Sequence, residues 1–313
     1  MPVLAEVLAV GLLVVSLVRL LGVEHGTLLA LLVGAAPVTL LPAYVVLLLA
    51  LLWRRGRLAA VAGVVAVAHL LVVAPALGAA GVPAEAATAP RLRVVVANLY
   101  VLNPDPERAG RVLRALRPDV LVVPELDGRG LAALRASGLV DDLPHVVVEL
   151  GARPETVGLL SRLPLADRTT RSAGGRMLPR GTVRVGDVDV RVLAAHPLPP
   201  VSVFEALWRR SLADLREESQ ATALPHVVAG DFNADRDHAP FRALLGTGLR
   251  DVHDERGRGL ARTWPAGAPV LQLDHVLVKD GRGGRLVVRA VREVRLPGSD
   301  HRTVVADLAV LPD

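Results

Sequence analysis

Cysteine is absent from the 313-residue chain. That excludes disulfides, thiolate nucleophiles and zinc–thiolate sites, and it leaves the compartment open. Lysine is almost absent: Lys279 is the only one, so nearly all positive side chains are arginine. Aromatic residues make up only 3% of the chain. Nucleic-acid-binding surfaces combine clustered positive charge with stacking aromatics. Here the net charge of +5 is modest and scattered, which disfavours nucleic acid as a dedicated partner.

Apolar side chains, by contrast, are abundant at 52%, and they concentrate before about residue 80. Residues 26–53 and 58–80 carry no charged side chain, with His69 inside the second run. Each run is long enough to cross a hydrocarbon core of roughly 30 Å, which takes about 20 helical residues. A third segment, residues 3–22, contains Glu6 and Arg19 near its ends, whose charges can reach the interfaces. No basic stretch precedes it, which argues against a cleaved signal peptide. The expectation is a membrane anchor over residues 1–80, with three transmembrane helices at about 3–22, 27–52 and 58–79. His69, Pro37 and Pro42 read as a satisfied polar group and tolerated prolines within it.

Arginine placement orients this anchor. The loop Trp53-Arg54-Arg55-Gly56-Arg57 is compact and basic, whereas the turn around Glu24 and His25 has only Arg19 at its edge. The positive-inside rule places the arginine loop in the cytoplasm. The remainder of the chain then lies outside, giving a multi-pass protein of the cell membrane. Residues 81–91 are small and proline-punctuated and read as a linker.

Residues 92–313 suffice for one well-cored domain. Buried strands are expected at Leu92–Asn98, Asp119–Val123, His145–Leu150 and Val157–Ser161. A hairpin follows around Gly186-Asp187, and further strands at Leu271–Lys279, Leu286–Val294 and Thr303–Val310. Helices are expected over Asp105–Arg117, with Pro106 in the first turn, over Val203–Leu224 and from near Asp237. Strands dominate without regular alternation, which suggests two sheets packed face to face with helices outside. The Arg- and Gly-rich segment Thr169–Pro179 reads as a mobile loop.

The most informative stretch runs from His226 into Gly230-Asp231-Phe232-Asn233-Ala234. A buried strand there ends on a carboxylate and a carboxamide two residues apart, on one face. The carboxylate can accept a proton from water or help hold a cation, and the amide can orient an oxyanion. Other polar residues follow, precede or interrupt the apolar runs of expected strands: Asn98, Glu125, His196, Asp274 with His275, and Asp300 with His301. Gathered on one edge, these groups form an oxygen-rich set suited to a hard cation: Mg²⁺, or alternatively Mn²⁺ or Ca²⁺. His238, His253 and His275 read as structural and Trp264 as a cleft wall. Arg153, Arg162, Arg176 and Arg180 are candidate contacts for an anionic substrate.

The set resembles the endonuclease/exonuclease/phosphatase superfamily. The matching pieces come in the family's order: Ala97-Asn98-Leu99, Pro124-Glu125-Leu126, Gly158 to Leu165, Ala195-His196-Pro197, Gly230 to Ala234, Thr263-Trp264-Pro265, Leu273-Asp274-His275-Val276 and Ser299-Asp300-His301. Pro124 departs from the pattern, since the family usually has Gln there. The resemblance implies a four-layer, DNase I-like α/β sandwich. It implies Glu125 as the main metal ligand, with Asn98 and Asp300 completing or supporting the site. Asp231 would orient and deprotonate the attacking water, and Asn233 would bind phosphoryl oxygens. His301, its ring held by Asp274, would stabilise phosphate charge or act as acid/base. His196 would be a second phosphate-contacting histidine.

An anchor of three spans with an outward catalytic domain is also similar to VanJ-like membrane proteins. That implies a metal-dependent phosphoesterase working beside the lipid bilayer on a lipid phosphate, such as a polyprenyl diphosphate. The competing expectations are an extracytoplasmic nuclease on the same fold and a non-catalytic scaffold.

Overall fold

A computed structural model of the chain describes residues 2–149 and 156–313. Leu150, the expected end of a strand, and Arg153 lie outside the described residues.

The N-terminal part is a packed helical group. It comprises α1 (Pro2–Leu21), α2 (Thr27–Gly34), α3 (Ala36–Thr39), α4 (Pro42–Leu52) and α5 (Gly56–Leu77). α1 and α5 are long and apolar enough to cross a membrane. The apolar run 26–53 is broken, with α2 bent by 78° from the segment Ala36–Leu52. Pro37 and Pro42 stand in the first turns of α3 and α4, where a missing N–H costs nothing, while each disfavours helix in the residue before it. The carbonyl of Pro37 is taken up by His69 Nε2 at 3.0 Å, and Tyr44 Oη lies 2.9 Å from His69 Nδ1.

The rest of the chain forms β1 (Arg91–Val96), α6 (Pro106–Ala115), β2 (Val120–Leu126), α7 (Gly128–Ala136), α8 (Leu139–Asp142), β3 (His145–Val147), β4 (Thr156–Ser161), β5 (Leu165–Ala173), β6 (Arg176–Val185) and β7 (Val188–Ala195). It continues through α9 (Glu205–Ala221), β8 (His226–Asp231), α10 (Ala239–Leu245), β9 (Arg250–Asp251), α11 (Val252–Glu255), β10 (Asp274–Lys279), β11 (Arg285–Arg295) and β12 (Arg302–Leu311). Two six-stranded sheets result, in the orders β11-β12-β1-β2-β4-β3 and β5-β6-β7-β8-β10-β9. Pairing is parallel between β1 and β2 and between β7 and β8, and the neighbouring pairs around them are antiparallel.

Strand alternation builds the layers. Val94, Val96 and Val122 face the second sheet, where they meet Val190, Val192, Val227 and Val276. Val95, Leu121 and Val123 face the other way, onto Leu113, Leu131 and Leu134 of α6 and α7. Trp208, Leu212 and Phe241 of α9 and α10 cover the far face of the second sheet. The architecture is therefore a mixed α/β sandwich of four layers. Asp105 caps α6, its side chain accepting from Arg108 N ahead of Pro106. Thr169–Pro179 is not a loop. It is the turn end of the β5–β6 hairpin, closed at Gly174-Gly175. Its polar composition reflects edge strand β5, which is exposed along most of its length.

The sandwich is docked on one end of the helical group. Arg19 pairs with buried Asp237 at 2.7 Å, Glu24 accepts from Ala239 N at 2.8 Å, and Gly26 N donates to Glu205 at 2.9 Å. Ala30 O meets His238 Nε2 at 3.0 Å, and Ala76 O accepts from Gly259 N at 3.0 Å. These contacts use the C-terminal ends of α1 and α5. At the opposite end, Arg55 pairs with Glu6.

Candidate active site

The ends of six strands deliver the site. β8 and β10 run antiparallel with Asp231 opposite Asp274. Gly230 sits at φ 152°, and a β-carbon there would lie 1.9 Å from Ala195 O, so only glycine lets β8 approach β7. Asn98 follows β1, His196 follows β7, and His301 precedes β12. Glu125 stands where the β2–β4 register shifts, at φ 55°. Asn233 is at φ 46°. Two non-glycine residues in the left-handed region, one on each sheet at the same end of the sandwich, mark backbone strain held in place by its surroundings. Pro124 fits this bulge: it lacks an N–H, and its carbonyl accepts from Leu99 N at 3.1 Å.

The side chains converge. Asn98 Nδ2 donates to Glu125 Oε1 and to Asp231 Oδ2, both at 3.0 Å. Val101 N donates to the second Glu125 oxygen at 3.0 Å. Asn233 N donates to Asp231 Oδ1 at 2.8 Å. His301 Nδ1 lies 2.8 Å from Asp274 Oδ2, and its Nε2 lies 3.8 Å from Asp231 Oδ2. Ligand atoms of Glu125, His196 and Asp231 lie within 4.8 Å of one another, as do those of Asp231, Asp274 and His301.

Electrostatics sort the titratable groups. Burial alone would lower the His301 pKa. The carboxylates of Asp274, Asp231 and Asp300, with the Asp274 hydrogen bond, outweigh it and raise the value to about 10. His301 is thus an imidazolium across the neutral range. Burial pushes Asp231 up to about 7, with His301 opposing and Asp274 reinforcing the rise. Burial, then Arg176 and His301, hold His196 well below the usual histidine range. His196 is therefore neutral, and its Nδ1 faces Arg176 NH1 at 3.4 Å.

Buried Asp231 and Asp274, with half-buried Glu125 and Asp300, crowd around the His301 imidazolium, with Arg176 at the edge beside His196. Carboxylates gathered this closely suit a further cation. One oxygen each of Asp274 and Asp300 is buried without a hydrogen-bond partner. The donors are oxygen-rich and include no thiolate. On these grounds the residues fit a hard divalent cation.

The structure also separates the expected residues. Asp300 sits toward Trp264, whose Nε1 donates to Asp300 Oδ2 at 3.2 Å, and it belongs to neither ligand cluster. Asn98 acts as a donor between two carboxylates, while its own oxygen accepts from Tyr100 N. Asn233 Nδ2 is engaged by Pro197 O at 3.0 Å. Of the candidate arginines, Arg176 reaches the site. Arg162 turns to Pro118 O and Arg180 to Glu218. Ser299 was not among the expected site residues. Its hydroxyl donates to Asn98 O at 2.8 Å and accepts from His301 N at 3.0 Å, tying β1 to β12.

The chain belongs to the endonuclease/exonuclease/phosphatase family, whose model matches residues 95–301, from the β1 core to His301. It is a hydrolase acting on phosphoric ester bonds, the chemistry of that family. The fold is shared with TDP2 of D. rerio, solved with a single-strand DNA product. That match has a TM-score of 0.57 at 14% identity and covers 70% of this chain and 98% of the other. A family protein from Beutenbergia cavernae matches with a TM-score of 0.54 at 22% identity, covering 71% and 72%. One from Bacteroides vulgatus matches with a TM-score of 0.56 at 13% identity, covering 70% and 99%. No curated protein sequence matches the chain.

Proposed function

We propose that the chain is a membrane-anchored, divalent-metal-dependent phosphoesterase that hydrolyses a lipid-linked phosphate or diphosphate outside the cytoplasm. The supporting observation is the seat of the sandwich. It rests on the C-terminal ends of α1 and α5, opposite the basic loop Trp53–Arg57. With that loop cytoplasmic, the catalytic edge lies outside. α1, the bent α2–α4 segment and α5 are the three spans, and residues 81–91 link them to the catalytic domain.

Glu125 would hold Mg²⁺, or Mn²⁺ or Ca²⁺ in its place, with Asn98 and Asp300 supporting. The ion supplies charge neutralisation and Lewis acidity at the phosphate. Asp231, free to gain a proton near neutrality, accepts one from the attacking water. Asn98 and the Asn233 N–H orient its two oxygens. His301 brings a fixed positive charge to the phosphoryl oxygens and can protonate the leaving group, and Asp274 fixes its ring. Neutral His196 and the amide of Asn233 contribute hydrogen bonds rather than charge.

Phosphate release from undecaprenyl diphosphate by the full chain, with Mg²⁺ and then with EDTA, tests this function. Metal-dependent release is expected, and no release in either condition removes this substrate. A nuclease is the second reading, favoured by the DNA product held by the D. rerio neighbour. It predicts nicking of plasmid under the same conditions.

A further inference from the structure

Beyond residue 91, seven large apolar side chains among the described residues are exposed, and they are not spread at random. Val201, Val203, Phe204 and Leu207 follow His196 and Pro197 on the Asn233 side of the site. Val270 lies on the opposite side, its N–H donating to the carbonyl of Trp264, whose indole holds Asp300. Leu102 follows Val101, the residue that donates to Glu125. Met177 follows Arg176, the residue that touches His196. Val203 is 80% exposed, in a chain whose sandwich otherwise buries its aliphatic side chains well. Exposed apolar patches of this kind mark a docking surface.

What covers two of these groups follows from their neighbours. Glu205, directly after Phe204, accepts from Gly26 N and faces His25 Nδ1 at 2.9 Å, in the turn where α1 ends. Leu271, directly after Val270, packs at Gly34, where a β-carbon would sit 3.3 Å from a Leu271 methyl. The segment from Gly26 to Gly34 therefore runs from the Phe204 side of the site to the Val270 side. That segment is α2, bent by 78° from the α3–α4 segment, with Leu28 and Leu31 exposed. If α4 crosses the bilayer, α2 lies near its surface, and both apolar lips lie level with it.

We propose that Val201–Leu207 and Val270 form lips seated in the outer leaflet, so that the site takes a phosphate whose apolar tail stays in the membrane. This rests on the membrane-anchored reading above and deepens it: the substrate is drawn from the leaflet laterally, not captured from water. Aliphatic and aromatic side chains beside an anchor suit the interface, where they gain apolar contact without crossing.

The absence of cysteine allows a clean test. Full-length Val203→Cys and Asp187→Cys, each carrying an environment-sensitive NBD label, are reconstituted in nanodiscs of 3:1 POPC and POPG. Asp187 is fully exposed at the β6–β7 turn, at the end of β7 remote from His196. Blue-shifted emission at 203, quenched by lipid-borne doxyl groups, with water-like emission at 187, is expected. Water-like emission at both positions overturns the proposal. In parallel, the double variant Val203→Asp/Phe204→Asp is expected to lose about tenfold or more in kcat/KM on a long-chain lipid diphosphate, and less than about twofold on bis-p-nitrophenyl phosphate. Equal losses on both substrates overturn it. A membrane-seated label with no turnover of any lipid phosphate supports the lips while refuting the proposed function.

Discussion

Two buried histidine–carboxylate clusters in the sandwich differ in what they leave unsatisfied. In the first, His301 sits between Asp274 and Asp231, with free oxygens on Asp274 and Asp300. The second lies behind it. His253 bridges Asp251 at 3.2 Å and Glu293 at 3.1 Å, His275 Nδ1 meets Asp251 at 2.5 Å, and Gln272 Nε2 donates to Asp251. There each ring nitrogen and each carboxylate oxygen has a partner, including His275 Nε2 at Ala234 O and Glu293 with Arg258. A fully paired polar network holds a fold together, while one short of partners is poised to take a ligand. The two clusters touch through one strand. Asp274 and His275 are adjacent on β10 and so point to opposite faces.

The largest expected effect separates the clusters outright. Asp231→Ala or His301→Ala lowers kcat by about 10²-fold or more in the folded protein; Asp231→Ala does so with little change in Tm, whereas His301→Ala also strands the buried Asp274 carboxylate. His275→Ala or His253→Ala destabilises the fold by about 3–5 kcal/mol, by stranding buried carboxylates, yet the folded fraction keeps its turnover. Turnover and thermal melts on the four variants check this. If His253→Ala abolished turnover at unchanged Tm, the division would fail.

Removing the metal comes next. EDTA should abolish hydrolysis, and Mg²⁺ at about 100 times its Kd should add about 2.7 kcal/mol of stability. Glu125→Gln should lose that increment in a melt with and without Mg²⁺, whereas Gln272→Ala should keep it.

The smallest effect is on stability against pH. Burial would lower the His253 pKa, but its bonds to Asp251 and Glu293 raise it to about 9. A group raised in the folded state contributes stability that is complete below its unfolded pKa of about 6.5. That contribution is lost as pH rises through about 9. On the order of 1–3 kcal/mol should therefore disappear between pH 7 and 9.5 in the parent and not in His253→Gln. Melts across that range measure it.

Much of the sandwich was readable because its strands are continuous valine and leucine runs ending on polar residues, as at Val94–Asn98 and Val227–Asp231. The helical pattern from Asp105, with Pro106 in the first turn, announced α6, and the structure adds the Asp105 cap. The β5–β6 hairpin was not readable. Edge strand β5 is mostly exposed, so Thr169–Arg171 carries no apolar alternation to find. The break in the second apolar run lies just before Pro37, whose carbonyl is taken up by His69, a pairing that hydropathy does not register. At the site, motif and strand position pointed to Glu125, Asp231 and His301. Ser299 and Gln272 act through partners far away in the chain, and only the fold reveals these. The neutrality of His196 likewise depends on burial and on Arg176, twenty residues away in sequence.

Titration of the full chain with Mn²⁺, followed by EPR of the free ion, tests most directly whether this sheet edge is a metal-bearing phosphoesterase site. The parent should sequester Mn²⁺, Glu125→Ala should weaken that binding by about tenfold or more, and His253→Ala should leave it unchanged in the folded fraction. Equal Mn²⁺ binding by the parent and Glu125→Ala would contradict the account.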